Sequence, residues 1–201
     1  MANDQSSHLG LRPLREIDRA DIMYFRANTA QAIYRWHPAA LNNSGQLIMA
    51  APGDNVQIIG TIVGFLDANK AALPLSMDSL SDGPYLSASD DAQVAVCVNP
   101  DMFYTLEADT GGSSTVALTD IGTTAGFTYI QTTGNTTTGI ANVVLDASDI
   151  AADSGGTFRI VGLLDNINQD GTLNTPSANF AKVIVKIHHY QLGQGSLSAA
   201  V

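Results

Sequence analysis

The sequence predicts an all-β protein, a small barrel or sandwich with long loops and an extended N-terminal arm. Short apolar runs rich in valine, isoleucine, threonine and aromatic residues recur about every 10 to 15 residues. Glycine, proline and asparagine bound these runs, as is typical of turns between strands. Stretches with the hydrophobic period of a helix are almost absent. These observations favour strands joined by loops over a helical bundle or alternating helices and strands.

The chain divides into an arm, residues 1–20, and a β domain, residues 21–201. The arm contains a glycine and a proline and has no convincing hydrophobic period, so we expect it to become ordered only against another surface. The domain begins with residues 22–37, which are rich in aromatic side chains and predict extended chain. A helix over residues 29–35 is the competing interpretation, because the alanines and charges of this stretch permit one.

Two strands and a long loop follow. Residues 46–51 form a short apolar run, and residues 56–66 form a longer one interrupted by Gly60 and Gly64. Glycines inside a strand usually mark bulges or sharp coiling. Residues 67–84 are predicted to be a loop that packs on the domain or reaches a partner, because they contain too many leucines for a free linker.

The central stretch, residues 94–109, predicts a hairpin of two core strands. Two apolar runs, residues 94–98 and 102–106, flank an Asn-Pro-Asp turn at residues 99–101. The proline fixes its own φ and donates no ladder hydrogen bond, so the chain must turn there. Cys97, the only cysteine, lies in the first run and is expected to be a small buried hydrophobe and not a nucleophile.

The C-terminal half continues the pattern of short strands. Residues 146–150 interrupt it with an aspartate that can cap a helix and with about one helical turn. We find no internal repeat. The predicted strands of this half are residues 116–118, 127–130, 140–145, 157–164 and 180–190.

Charge limits the partners of the protein. The chain has 9 lysines and arginines against 19 aspartates and glutamates, a formal charge of −10. Nucleic acid and anionic membranes are bound through basic clusters, so neither is expected as a partner. The absence of an apolar leader and of a bilayer-length apolar run leads us to expect a protein made and used in a cytosol-like compartment. The N-terminal segment is the locally cationic part of the chain, with Arg12, Arg15, Arg19, Arg26 and Arg35.

The motifs predict no enzyme, and we expect no catalytic, cofactor-binding or metal-binding residues. Residues 166–171 resemble the first half of a calcium loop, but the glutamate that completes such a loop is missing. His188 and His189 are adjacent on a predicted strand, where their side chains would point to opposite faces and could not share a metal ion. The sequence also lacks the Gly-x-Ser-x-Gly elbow of serine hydrolases.

Paired carboxylates are the enzymatic alternative. A glycan hydrolase could draw two carboxylates from Asp90, Asp91, Asp101 and Glu107. Exposed acidic residues at strand ends are usually solvated turns, so we do not expect these residues to be catalytic.

Several stretches, taken in order, resemble one protein family. Residues 10–15, Gly-Leu-Arg-Pro-Leu-Arg, are similar to a Gly-Leu-Arg-Pro-Val-Arg signature, and residues 59–65 are similar to a Gly-Val-Val-Val-Gly-Phe strand. Residues 94–109 resemble the central block of the family, residues 120–146 follow its order, and residues 186–193 resemble its Ile-Asn-Glu-His-Gln-Leu-Gly ending. The family is that of the decoration, or cement, proteins of tailed-bacteriophage capsids.

The resemblance implies a structural protein that binds the outer surface of a phage head and stabilises contacts between capsomers of the major capsid protein. It implies a homotrimer over the threefold positions of the shell, made in the host cytoplasm and located on the virion. Three copies of one arm would combine weak contacts into stable attachment. The alternative is another virion structural module, such as a head fibre, a tail component or a receptor-binding β module. The expected capsid-binding arm comprises Leu9, Gly10, Leu11, Arg12, Pro13, Leu14 and Arg15.

Overall fold

The computed structural model describes residues 10–66, 85–88, 91–109, 115–150, 155–164 and 181–192. The prediction of an all-β fold is confirmed, because these residues form twelve strands in three antiparallel sheets and their helices are three short 3-10 turns. Of the two architectures expected, the described strands form a sandwich-like arrangement and do not close into a barrel. None of the described helices is long and apolar enough to cross a membrane.

The first sheet, sheet A, carries one face of the main core. On its long inner strand, Val183, Val185 and Ile187 are buried, whereas the alternate residues Ile184 and Lys186 are partly exposed. This period of two is the one expected of a strand with one buried face. The order of strands in sheet A is β1 (Arg12–Pro13), β7 (Phe103–Glu107), β12 (Lys182–Ile187), β11 (Phe158–Leu163) and β8 (Thr124–Ala125).

The second sheet, sheet B, contains the glycine-interrupted strand. Its pairing with the neighbouring strand shifts register between Ile62 and Gly64, as the glycine predicted. The order in sheet B is β2 (Ile22–Arg26), β6 (Gln93–Cys97), β5 (Gly60–Leu66), β3 (Pro38–Leu41) and β4 (Leu47–Met49). A third sheet pairs β9 (Phe127–Gly134) with β10 (Ala141–Leu145).

The predicted hairpin of residues 94–109 is wrong in its pairing. Both core strands and the turn are present, but β6 lies between β2 and β5 in sheet B, and β7 lies between β1 and β12 in sheet A. The turn is held by Asn99, whose side chain accepts from Asp101 N at 2.8 Å and donates to Asp21 at 2.7 Å. The stretch therefore carries the chain from one sheet to the other.

Two hydrophobic clusters occupy the two faces of sheet B. On β6, Val94 and Val96 belong to one cluster, and Cys97 belongs to the other, larger cluster, which includes the buried residues of sheet A. Cys97 is buried as predicted, and burial raises the pKa of its thiol. The larger cluster contains the rings of Tyr104, Phe127 and Phe158.

Three local predictions have different outcomes. The helix considered over residues 29–35 does not form, because Ile33 and Arg35 make isolated bridges to other segments. The strand predicted at residues 116–118 is wrong, since a 3-10 turn, Leu118–Asp120, begins there. The capped turn after Asp146 is confirmed by a 3-10 turn whose Ser148 N donates to Asp146 at 2.9 Å. The loop of residues 67–84 and the partial calcium motif of residues 166–171 lie outside the described residues.

Candidate functional site

Residues 10–15 of the expected arm are built into the β domain. Leu11 is fully buried; its N–H donates to Trp36 O at 2.7 Å, and its carbonyl accepts from Thr61 Oγ1 at 2.8 Å. The next two residues form β1, in which Pro13 lies opposite Tyr104. Contacts within the chain order these residues, which corrects the expectation of an arm that needs a partner surface up to residue 20.

The expected capsid-binding residues fall into anchors and surface groups. Leu11 is an anchor of the core and is not presented to a partner. Leu14 is 45% exposed and its N–H donates to the carbonyl of Phe103, which is 42% exposed. Arg15 is exposed and Arg12 is partly exposed. Leu14 and Phe103 thus form an exposed apolar pair, and Arg12 and Arg15 belong to the same segment as Leu14. Leu9 lies outside the described residues.

Trp36 has a backbone conformation that few tryptophans adopt. Its φ is 60°, the one positive φ of a non-glycine residue in the part of the chain that the structure describes. Such a conformation costs about 1–2 kcal/mol for a residue with a Cβ. Two hydrogen bonds of 2.7 Å hold it, from Leu11 N to Trp36 O and from Trp36 N to Ile62 O.

Gly10 is required beside this tryptophan. Its own φ is 62°, and a Cβ at this position would lie 2.7 Å from both Trp36 Cβ and Trp36 O. Only a glycine allows the two backbones to approach this closely. The N-terminal segment and the indole therefore occupy fixed positions relative to each other.

Two arginines lie close to the indole ring. The Cζ atoms of Arg12 and Arg35 lie 5.8 Å and 5.0 Å from the centroid of the Trp36 ring, within the range of cation–π attraction. Burial lowers the pKa of Arg12, against the opposing charge of Glu107. Burial also lowers the pKa of Arg35, and repulsion from Arg12 adds to this effect. Like charges are thus held together over one aromatic ring.

A cleft of about 430 Å³ opens beside this arrangement. Arg15, at its edge, forms an ion pair with Asp21 at 3.1 Å. A hydrogen bond from Asn99 is the largest of several contacts that lower the pKa of Asp21. The lining supplies guanidinium donors, one aromatic face and apolar walls, which suits the binding of an anion with an apolar part. The lining residues are Arg12, Pro13, Arg15, Glu16, Ile17 and Trp36.

The sequence-based site did not include Arg35 and Trp36. A signal was present, because the single tryptophan of the chain directly follows an arginine. The role of the pair depends on Leu11, which meets Trp36 through a hydrogen bond across 25 positions of the sequence. Local pattern cannot predict such a contact.

Two carboxylates of the enzymatic alternative, Asp91 and Asp101, are separated by a strand. Asp91 pairs with Arg26 at 3.1 Å, and Asp101 pairs with Lys186 at 2.8 Å. The five residues of β6 lie between these two aspartates and span roughly 17 Å. That exceeds the roughly 10 Å upper limit for paired carboxylates of glycosidases. Asp90 lies outside the described residues.

The histidine pair differs from its prediction. The strand β12 ends at Ile187, so the alternation of strand side chains does not extend to His188 and His189. Their ring centroids lie 5.0 Å apart, and the prediction that they point to opposite faces is wrong. Within the described ranges, no group of three or more histidine, cysteine, aspartate or glutamate side chains could hold a metal ion.

Fold and site together define the protein as an all-β sandwich with a cationic, aromatic cleft beside its N-terminal segment. Comparisons with protein families, curated proteins and solved structures find no match.

Proposed function

We propose that the protein is a structural capsid decoration protein, which binds the outer surface of a phage head and stabilises contacts between capsomers of the major capsid protein. The supporting observation is the surface formed by residues 10–15 and their neighbours. Leu14 and Phe103 are 45% and 42% exposed and are joined by a hydrogen bond from Leu14 N to Phe103 O, and Arg12 and Arg15 belong to the same short segment as Leu14. Aromatic side chains and arginines are enriched at the centres of interfaces, and Phe103 with the two arginines fits that composition.

The anchoring of Leu11 favours this role. Because Leu11 is buried and hydrogen-bonded on both sides, the following residues are held in one conformation before a partner arrives. A surface ordered in advance loses less conformational entropy on binding. Residues 1–9 are joined covalently to Gly10, which lies against Trp36, and we expect them to add contacts to a neighbouring capsomer.

The proposed assembly is a homotrimer. Three copies of this surface would engage neighbouring capsid subunits together, and each further contact would benefit from a high effective concentration. The strand β2 supports a contact between subunits, because it lies at the edge of sheet B among the described strands and exposes Met23 and Tyr24 by 47% and 54%. Unpaired strand edges with apolar side chains favour pairing with another chain.

The test is addition of the purified protein to undecorated heads of the phage that encodes it. The wild type should sediment with the heads and appear over the whole shell by electron microscopy. Leu14→Asp should abolish binding, whereas Leu118→Asp is the matched control, since Leu118 is also exposed, by 62%, and lies on a 3-10 turn. Removal of residues 1–9 should weaken binding to heads without disturbing the fold, because the buried Leu11 remains.

Three results would contradict the proposal. The first is a wild-type protein that does not bind heads, and the second is equal binding of the Leu14→Asp and Leu118→Asp variants. The third is density confined to one vertex or to the tail. That last location would favour the alternative of a head fibre, tail component or receptor-binding module.

A further inference from the structure

The cleft beside Trp36 concentrates guanidinium groups in an acidic protein. The chain carries a formal charge of −10, yet Arg12 and Arg15 line the cleft, with Glu16 as the carboxylate of the lining. Asp21 pairs with Arg15 at 3.1 Å, and the charge of Glu107 acts on Arg12. Arg35 adds a third guanidinium at 5.0 Å from the indole, and its Nε is buried without a hydrogen-bond partner in the described structure. Charges of one sign lining a cleft attract ligands of the opposite sign.

The strained backbone of Trp36 places an aromatic face in this cleft. A bulky residue at a φ of 60° persists only where its surroundings impose the conformation. Here Leu11 and Ile62 impose it through backbone hydrogen bonds, and Gly10 leaves the space that it needs. Strain of this kind is concentrated at binding sites, where it holds a side chain in position for a ligand.

The lining selects a ligand class. A guanidinium presents a planar fork of donors that matches a carboxylate with two parallel hydrogen bonds. The indole face, together with Pro13 and Ile17, offers an apolar surface beside those donors. A volume of about 430 Å³ lies within the range of small-molecule sites and admits a few amino-acid side chains.

We propose that this cleft binds an acidic peptide segment, with one carboxylate on Arg12 and a neighbouring aliphatic side chain against Trp36. In the assembled particle the segment belongs to the major capsid protein, and this second statement rests on the proposed function. Arg35 acts through the indole as a positioning residue. It holds the ring from its half-buried site and raises the positive potential of the cleft.

The indole of Trp36 gives a direct readout, because it is the only tryptophan of the chain. The probe is the end-capped peptide Ala-Leu-Glu-Leu-Ala, titrated into the full-length protein while tryptophan fluorescence is recorded. We expect a saturable change in fluorescence and an affinity for the peptide that falls as salt is added. The matched peptide with glutamine in place of glutamate should bind about tenfold more weakly, the effect of losing a charged hydrogen bond.

Variants of the protein test the same contact. Arg12→Gln should weaken binding of the glutamate peptide about tenfold. The affinity of Arg12→Lys should lie between those of the wild type and Arg12→Gln, because lysine keeps the charge but lacks the planar fork of donors. Arg159→Gln is the control of equal charge, since Arg159 is exposed on β11 and donates to Gly122 O at 2.8 Å. Equal affinities of the two peptides, equal affinities of the Arg12→Gln and Arg159→Gln variants, or no saturable change up to about 10 mM peptide would overturn the inference.

Head binding separates this inference from the proposed function. If the wild type decorates heads and Arg12→Gln decorates them equally well, the cleft is not the capsid contact, and the decoration role stands. If the glutamate peptide binds and heads do not, the decoration role fails, and the acidic-peptide site stands. Loss of head binding in Arg12→Gln but not in Arg159→Gln supports both.

Discussion

Acidification should destabilise the fold through His37. This histidine is fully buried, with Nδ1 at 2.7 Å from Pro38 O and Nε2 at 3.0 Å from the Tyr129 hydroxyl. The Pro38 carbonyl can only accept, so Nδ1 carries the proton of a neutral imidazole and Nε2 accepts from the Tyr129 hydroxyl, which also lies 2.9 Å from Ala50 O. Burial lowers the pKa of His37 from 6.5 to about 4, against the smaller opposing effect of the Pro38 carbonyl. The folded protein therefore keeps a neutral imidazole at pH values where an unfolded chain binds a proton.

The sign and size of the effect follow from this difference. Because the pKa of His37 is lower in the folded state, its contribution to stability is complete above about pH 6.5 and is lost as the pH falls toward about 4. The interval is about 2.5 pH units, and each unit corresponds to about 1.4 kcal/mol. We therefore expect the free energy of unfolding to fall by about 3 kcal/mol from this residue between pH 7 and pH 4.

Urea unfolding followed by the fluorescence of Trp36 measures this loss. His37→Gln removes the titrating group, so its stability should fall less between pH 7 and pH 4 than that of the wild type, by about 3 kcal/mol. Tyr129→Phe is the matched control. This variant removes a hydrogen-bond partner but leaves His37 buried, so its free energy of unfolding should depend on pH as that of the wild type does. Parallel pH curves for the wild type and His37→Gln would refute the reasoning.

Three further predictions concern stability. A Cβ at Gly60 would lie 1.8 Å from Cys97 O, whereas one at Gly64 meets nothing within 4 Å. Thermal melts should therefore show that Gly60→Ala, but not Gly64→Ala, loses about 3 kcal/mol or more of stability. Equal melting temperatures of the two variants would disprove the close approach at Gly60. In urea unfolding, Leu11→Ala should lower the free energy of unfolding by about 2–5 kcal/mol, and Leu14→Ala should lower it by less than about 0.5 kcal/mol. The reverse order would contradict the role of Leu11 as an anchor of the core. Burial, followed by a hydrogen bond with a neighbouring carboxyl, raises the pKa of Asp149. The wild type therefore loses stability as the pH rises through that pKa. The stability of Asp149→Asn, relative to that of the wild type, should increase from pH 4 to pH 7. An unchanged difference in stability between the two proteins would exclude this effect.

The strands were predictable because strand formation leaves a local pattern. In β6, Val94 and Val96 alternate with Ala95 and Cys97. Val94 and Val96 pack in one hydrophobic cluster, whereas Cys97 packs in the other. The partner of each strand was not predictable from the same pattern. A turn such as the one around Pro100 joins two strands equally well as a hairpin or as a crossing between sheets, and only the distant strands β5 and β12 decide between them.

The site was predictable in part. The family resemblance pointed to residues 10–15, and in the structure Leu14 and Arg15 lie at the surface. Leu11 lies in the core instead, because its side chain is buried where β1 pairs with β7. A sequence with a glycine and a proline among polar residues predicts an arm, since the stabilising contacts lie in segments that are distant along the chain.

Ile62 connects the surface cleft to the buried histidine. Its carbonyl accepts from Trp36 N at 2.7 Å, and its own N–H donates to His37 O at 3.0 Å. Consecutive residues thus place an indole at the cleft and an imidazole in the core while sharing one residue of β5 as partner. The positive φ of Trp36 is stabilised from both directions, by this pairing and by the hydrogen bond from Leu11. The cleft can hold its strained shape because it is part of the same hydrogen-bonded unit as the core.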